Sequence, residues 1–414
     1  MDYNIFHFKD LFEVKHGYPF KSNNFSDTKT KFHIMTPGNV KAGGGIKLDK
    51  IKYLEENIEF DKNYIFEPGD IFINLTDLSK KGDTLGFPAI VPNDLSKYYL
   101  HNQRLGRVIN IDEEKLDKNF LFYLLCTREY RHHILGSATG STVKHTSPKR
   151  ILEFEISLPN LKIQKYIGIV LNSIDKKIEN NQKIIANLEE LSQTLFKRWF
   201  VDFEFPDENG NPYKSSGGEM IDSELGKTPK NWKVDEIGSY IKIKSGKRPK
   251  NKVDSKDSEN VVPVIGASKI MGYTNDYIYN EKIIIIGRVG THGVIQRFST
   301  RTWPSDNTFV ITSDFESIIY QLLKSIDYVS LNRGSTQPLL SQKDIKNTKV
   351  AMPTNETLLS TYQKENNHVL KMMDQKNIEN QKLTQLRDTL LPKLMSGEIE
   401  IPDDIEVNED ELSI

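Results

Sequence analysis

Cysteine occurs once in 414 residues, at Cys126, which excludes an internal disulfide and a cysteine-rich zinc site and leaves a packed thiol as its expected role. No run of about 18 apolar residues is present, so no bilayer-spanning helix is expected. The amino terminus, Met1 to Asp10, lacks a basic stretch ahead of an apolar core; no signal peptide is expected, and a cytoplasmic protein is. Recognisable catalytic motifs are missing as well: no G-x-S-x-G elbow, no H-E-x-x-H, no Walker A, no Asn-Pro-Pro-aromatic methyltransferase motif and no nuclease cluster. His132 and His133 are neighbours in a helical stretch and so point to different faces. Neither a metal site nor a catalytic residue is assigned.

Net charge is also scarce, at −1 from 56 basic and 57 acidic residues, but the acids are unevenly spread. Eight of them lie between Glu398 and Glu411 with no basic residue among them, so the rest of the chain carries +7. The segment 398–414 therefore reads as a solvated acidic tail on a mildly basic body. With 37% hydrophobic and 27% charged residues, a chain of this length has the composition of a soluble globular protein and suits two domains plus connecting helices.

What the chain does have is an internal repeat. Gly140-Ser141-Thr142 returns as Gly334-Ser335-Thr336, and at the same offset of 194 Ser147 matches Ser341, Lys149 matches Lys343, Ile151 matches Ile345 and Pro159 matches Pro353. Each copy continues into a short strand-like run, Phe154 to Leu158 and Thr348 to Met352, and then a long helical pattern.

In the first helix Ile167, Val170, Ile174, Lys177, Asn181, Ile184, Leu188, Leu191 and Leu195 alternate by three and four, the spacing of a coiled-coil seam. The second offers Val369, Met373, Lys376, Asn380, Leu383, Arg387, Leu390 and Leu394, with Arg387 the one break in the apolar match. Both seams carry a Lys and, four residues on, an Asn (Lys177 and Asn181, Lys376 and Asn380). Polar seam residues cost stability and fix register, so the two helices are expected to pair with each other. At about 38–40 residues each would run roughly 57–60 Å, which makes them spacers. Pro392 is expected to end or kink the second near its last turn. Between the helices, Pro206 to Gly218 reads as an exposed linker.

The remaining halves read as short strands separated by turns, with a helical segment in each (Asn119 to Ile134, Phe315 to Leu331), and their basic residues concentrate on loops. Lys242, Lys244, Lys247, Arg248, Lys250 and Lys252 fall within eleven residues around Gly246 and Pro249, uninterrupted by an acid; such a run serves either as a phosphate contact or as a solvated surface. The corresponding place in the first half holds Gly17-Tyr18-Pro19-Phe20-Lys21-Ser22, where Tyr18 and Phe20 belong either to a core or, with Lys21, to a nucleic-acid contact. After the strand Ile283 to Ile286, the glycine-rich run Gly287 to Gly293 has neither the P-loop ending nor dinucleotide spacing. It is read as a loop presenting Arg288, Thr291 and His292 to a DNA groove, where Arg recognises guanine in a bidentate way. Lys80, Lys81 and Thr84 are the counterparts after the strand Ile71 to Asn74. Trp199 and Phe200, at the end of the first helix, are candidate partner anchors or core residues.

At this point the chain resembles the specificity subunits of Type I restriction–modification systems over its whole length. The most specific stretches are Leu195-Phe196-Lys197-Arg198-Trp199-Phe200-Val201-Asp202-Phe203 and Leu386-Arg387-Asp388-Thr389-Leu390-Leu391-Pro392-Lys393-Leu394-Met395-Ser396-Gly397-Glu398-Ile399. The departures are Arg387 and a first half lacking the lead-in that Lys227 to Val234 gives the second. The resemblance implies an α+β fold: two mixed α/β target-recognition domains separated by two long antiparallel coiled-coil helices in a pseudo-two-fold repeat. The expected order is recognition domain 1 at 1–158, first spacer helix 159–204, linker 205–227, recognition domain 2 at 228–353, second spacer helix 354–397, then the tail. It further implies a non-catalytic subunit on double-stranded DNA, each domain reading half of a bipartite target. Two methyltransferase subunits and two restriction subunits would join it, and S-adenosylmethionine, ATP and Mg would reside on those partners rather than on this chain. A specificity subunit of a Type II-like, bipartite-cutting system is the alternative.

Overall fold

The computed structural model describes residues 4–290, 293–334, 339–402 and 405. The chain divides into two compact units, Met1–Glu179 with Gln381–Ile414, and Asn180–Asn380. Among the described residues no helix is long and apolar enough to cross a membrane, and no group of three or more His, Cys, Asp or Glu side chains is arranged to hold a metal ion.

The first unit is organised by a four-stranded antiparallel sheet in the order β2 (Glu13–His16), β10 (Leu105–Ile109), β6 (Ile71–Asn74), β8 (Pro88–Ile90). Strand β6 is buried on both faces, which is why it reads as the unbroken apolar run Ile71-Phe72-Ile73. A second sheet, β3 (Phe25–Ser26), β5 (Lys52–Leu54), β4 (Phe32–Met35), β9 (Tyr98–His101), contains the parallel pair β4 and β9. Two short ladders complete the unit, β1 (Asn4–His7) with β12 (Glu155–Leu158) and β7 (Thr76–Asp77) with β11 (Lys144–His145). Helices α1 (Lys118–Leu124) and α2 (Arg128–Gly136) supply Phe120, Tyr130 and Ile134 to a core shared with Phe8, Phe12 and Phe154. Each fully buried ring there contributes roughly 2–3 kcal/mol through its area removed from water.

The second unit repeats the plan. Its central sheet runs β16 (Lys242–Ser245), β22 (Thr308–Thr312), β19 (Ile283–Gly287), β20 (Ile295–Phe298), and a smaller sheet, β18 (Ile270–Thr274), β17 (Val262–Ile265), β21 (Trp303–Pro304), contains the parallel pair β17 and β21. Strand β15 (Trp232–Glu236) pairs with β23 (Lys349–Pro353) as β1 pairs with β12. The lead-in strand therefore exists in both halves, with His7 opposite Glu155 in one and Glu236 opposite Lys349 in the other. Helix α5 (Glu316–Ser325) follows β22 as α1 follows β10. Short helices α3 (Pro148–Leu152) and α6 (Gln342–Lys346) begin at the repeated serines, each of which caps its helix, Ser147 for Arg150 N and Ser341 for Asp344 N.

The repeat ends in the long helices α4 (Leu161–Phe196) and α7 (Glu356–Met395), which each contribute to both units. Both start at a capping asparagine that follows a Pro-terminated strand segment: Asn160 Oδ1 accepts from Ile163 N at 3.0 Å, and Asn355 Oδ1 from Thr357 N at 2.9 Å. In the first unit Ile163, Ile167 and Leu171 of α4 share a core with Leu394 of α7. In the second, Trp199 beyond α4 meets Tyr362 while Asn181 meets Asn380, so the helices run antiparallel.

Four expectations are corrected in part. The seam of α4 holds in its middle but loses Leu191, because a 3.6-residue helix drifts about 20° per heptad: Leu191 is 52% exposed, whereas Ser192 is buried and bonded to Gln321 at 2.7 Å, and Ile185 beside Ile184 packs on the core. Segment 205–227 is exposed along most of its length, as expected, but it is more than a linker. Phe205 stacks on Tyr213 and Trp232, and β13 (Met220–Ser223) and β14 (Gly226–Pro229) form a hairpin. Pro392 does not itself end α7, which runs through it to Met395 and stops ahead of Gly397 at φ +75°. Finally, the helical pattern from Asn119 to Ile134 is two helices, because Thr127 caps a new start at Arg128.

Candidate nucleic-acid interface

In each unit, loops far apart in sequence meet at one end of the central sheet. In the first, the turn after β2 closes on the turn between β9 and β10: Tyr18 N donates to His101 O at 2.8 Å, and Gln103 N donates back to Tyr18 O at 3.0 Å. On its other side that turn accepts from the loop after β6, Leu75 N donating to Arg104 O at 3.0 Å. The same loop takes in the segment carrying the repeated Gly-Ser-Thr triplet, because Thr146 N donates to Leu75 O and β7 pairs with β11. Gly17 permits the approach; a Cβ there would lie 2.3 Å from Asn102 O.

The loop after β6 is held from within by Asp77. Its carboxylate is nearly buried, yet it accepts from Ser79 N at 2.7 Å, from Thr84 Oγ1 at 2.7 Å and from Thr84 N. Burial works against ionisation, but these donors outweigh it and hold the carboxyl below its ordinary range. The result is a braced loop with Lys80 and Lys81 exposed at its tip.

The second unit assembles the same end from equivalent bonds. Lys247 N donates to Pro304 O, Arg288 N to Asn307 O at 2.8 Å, and Leu340 N to Arg288 O. Gly246 stands as Gly17 does, its absent Cβ 2.1 Å from Ser305 O. Arg333 and Asp344 form an ion pair beside this end, and the exposed Arg248 reaches Asp306 at 3.4 Å.

Charge separates along the central sheet of the first unit. Lys21, Lys80, Lys81 and Arg104 collect at the loop-gathered end, while Glu13, Glu67, Asp70 and Asp112 lie at the opposite end, where Arg107 and Lys115 neutralise two of them. An exposed basic end with braced loops suits a polyanion.

The family model described as the Type I restriction modification DNA specificity domain matches residues 1–190 and 229–388. The chain belongs to this family. Among relatives, the Type I restriction enzyme MjaIX specificity subunit of Methanocaldococcus jannaschii is 26% identical over 352 residues, covering 77% of this chain and 76% of that protein. The HindI specificity subunit of Haemophilus influenzae is 24% identical over 408 residues, 77% of this chain and 87% of that one. The crystal structure of the Type I restriction–modification S subunit from M. genitalium superposes with a TM-score of 0.59 at 18% identity, over 98% of this chain and 97% of the other, and so shares the fold.

Within this specificity-domain fold the individual residues separate. Lys21, Lys80, Lys81, Lys247 and Arg248 are exposed at the loop-gathered ends. Tyr18 is half-buried against Phe20 and Tyr64, and Arg288 is half-buried with its guanidinium 5.6 Å from the Phe309 ring. Lys250 is exposed in the following loop, whereas Lys252 turns away to Asp254 and Met271 O on the smaller sheet. Thr291 and His292 lie outside the described residues.

Three assignments are overturned. Phe20 is a core residue, packed with Ile34, Leu54 and Leu100. Thr84 spends its hydroxyl on Asp77 and accepts from Asn74 Nδ2 at 2.8 Å, which makes it a brace of the loop. Trp199 and Phe200 are 5% and 7% exposed, inside a cluster with Trp232 and Tyr362, because a π-helical turn at Lys197–Val201 rotates both rings inward. In the seam, Lys177 and Asn380 are half-buried, Asn181 is buried, and Lys376 pairs with Glu379 at 2.8 Å. The turn Asn102-Gln103-Arg104 went unmarked in the sequence; its signal was a short polar turn between two strand-like runs, Tyr98–His101 and Leu105–Ile109.

Proposed function

We propose that this chain is the DNA-reading specificity subunit of a Type I restriction–modification complex, non-catalytic itself, in which each unit reads one half of a bipartite, asymmetric target. Methyltransferase subunits, two in number, and two restriction subunits join it; S-adenosylmethionine, ATP and Mg belong to those partners and not to this chain. The observation that carries this reading is the repeated loop-gathered end, basic and built by equivalent backbone bonds in two units of one chain. Two copies of one plan with different loop side chains are what an asymmetric two-part target demands. Phosphate contacts from the exposed lysines position each unit, and base-edge contacts from the loops specify the sequence.

The test is an exchange. Replacing residues 1–158 with the matching domain of a relative, in the chain co-expressed with its methyltransferase, is expected to change one half of the methylated motif and leave the other. A change in both halves, or in neither, removes the assignment of one half-site per unit. Arg288→Ala is expected to weaken binding by roughly 1–3 kcal/mol and to relax the half-site of the second unit, if that side chain meets a base edge; unchanged affinity and motif would take Arg288 out of the interface.

A further inference from the structure

We infer that the turn between β9 and β10 is the base-reading element of the first unit, with Gln103 and Arg104 as its specificity-determining side chains. The inference rests on the reading that the loop-gathered end faces DNA.

The turn is held by both loops beside it. Four hydrogen bonds hold it: Gln103 N donates to Tyr18 O at 3.0 Å, Leu105 N to Asn102 O at 3.0 Å, Arg104 N to Asn102 Oδ1 at 3.0 Å, and Arg104 O accepts from Leu75 N at 3.0 Å. The turn is thus wedged between the loop after β2 and the loop after β6, at the centre of the end where they converge. A reading group held by its neighbours loses little entropy on binding and discriminates by fractions of an ångström.

Gln103 and Arg104 are both exposed, and among the described residues neither side chain has a hydrogen bond or ion pair. That contrasts with the rest of the end, where Asp77, Thr84 and His145 are spent on bracing the loops. Gln presents a donor and an acceptor side by side, matching adenine N7 and N6, and Arg presents two donors, matching guanine O6 and N7. Adjacent on one turn, they address neighbouring base pairs.

The second unit has an equivalent turn. It shares two of the bonds, Arg288 N donating to Asn307 O where Leu75 N donates to Arg104 O and Thr308 N to Ser305 O where Leu105 N donates to Asn102 O, but it carries Asp306 and Asn307 in place of Gln103 and Arg104. Asp306 is already in contact with Arg248. The scaffold is constant and the two projecting residues differ, the pattern expected where two units must read unlike half-sites.

The experiment uses the full chain in complex with its methyltransferase, carrying Arg104→Ala, Arg104→Lys or Gln103→Ala. Binding at low salt is competed with duplexes that bear each of the four base pairs at every position of the target. For both Arg104 variants, preference for one G·C pair in the first unit's half-site is expected to fall by about tenfold or more, with the other half-site unaffected. Lysine keeps the charge but not the paired donors, so it separates base reading from phosphate attraction. Gln103→Ala is expected to relax an adjacent A·T pair. Uniform weakening with discrimination intact, or no change, overturns the inference while leaving the half-site assignment standing. A wild-type complex that shows no bipartite preference overturns the DNA-reading assignment itself.

Discussion

The Asn181 side-chain amide donates to the Asn380 carboxamide oxygen at 2.9 Å, joining two helices at positions 199 residues apart that correspond in the repeat. Asn181 is fully buried, and its own oxygen has no hydrogen-bond partner among the described residues. A slipped pairing would bury both amides against apolar neighbours, so the pair sets register at a cost in stability. Asn181→Leu, which strands Asn380, is expected to destabilise the chain by about 1–2 kcal/mol. The double replacement Asn181→Leu with Asn380→Leu is expected to recover that loss or exceed the wild type. Urea unfolding of the single and double variants forms a cycle; strict additivity would show that the two side chains are not coupled.

The helix pair was legible because a period-3.5 seam with matched polar breaks is a long, local signal. Arg387 was legible only as a break. Its partners are Asp388, adjacent, and Asp175, whose carboxylate accepts from Arg387 Nη1 at 2.7 Å and from Tyr123 OH at 2.7 Å; Asp175 is 212 residues away and lies off the apolar stripe. The loop-gathered ends were half legible for the same reason. Glycines and basic residues mark the individual loops, but their assembly depends on backbone bonds such as Leu75 N to Arg104 O and on strand pairing between distant segments, which no local pattern encodes. Phe20 and Trp199 were ambiguous because an aromatic at a turn or helix end looks alike in sequence whether its ring points in or out.

Trp199 now yields a prediction about folding. Its ring lies 5.4 Å from Tyr362 within the second unit's core. Trp199→Ala is expected to cost about 3–5 kcal/mol, the range for a buried aromatic truncation. Thermal unfolding of the isolated chain checks this. A variant as stable as wild type that only loses its methyltransferase would return Trp199 to the surface role.

His101 gives a pH dependence with a definite sign. It is completely buried beneath the reading turn, its Nε2 2.9 Å from Leu105 O and its ring 4.6 Å from Phe66, and burial pushes its pKa down to about 4. A histidine depressed on folding lets the unfolded chain bind the extra proton, so its contribution is present above about 6.5 and is lost as pH falls through the window from there to about 4. The loss amounts to roughly 3 kcal/mol. In urea titrations between those limits, His101→Gln is expected to flatten the slope of stability against pH by about one proton. An unchanged slope would mean that the ring is already charged in the folded protein.

The two glycines that admit the reading turns predict a coupled loss of stability and specificity. In Gly17→Ala the new methyl would sit 2.3 Å from Asn102 O, and in Gly246→Ala 2.1 Å from Ser305 O; both obstacles are backbone, which cannot swing aside like a side chain. The turn must retreat by about 1 Å, at a cost of about 1–3 kcal/mol for overpacking. Because the turns carry Gln103 and Arg104 in one unit and Asp306 and Asn307 in the other, each substitution displaces the residues of its own half-site only. Gly17→Ala is therefore expected to degrade discrimination in the first half-site, and Gly246→Ala in the second, under the same duplex competition. Equal degradation of both half-sites by either variant would mean that the glycines act through global stability rather than through the turn they admit.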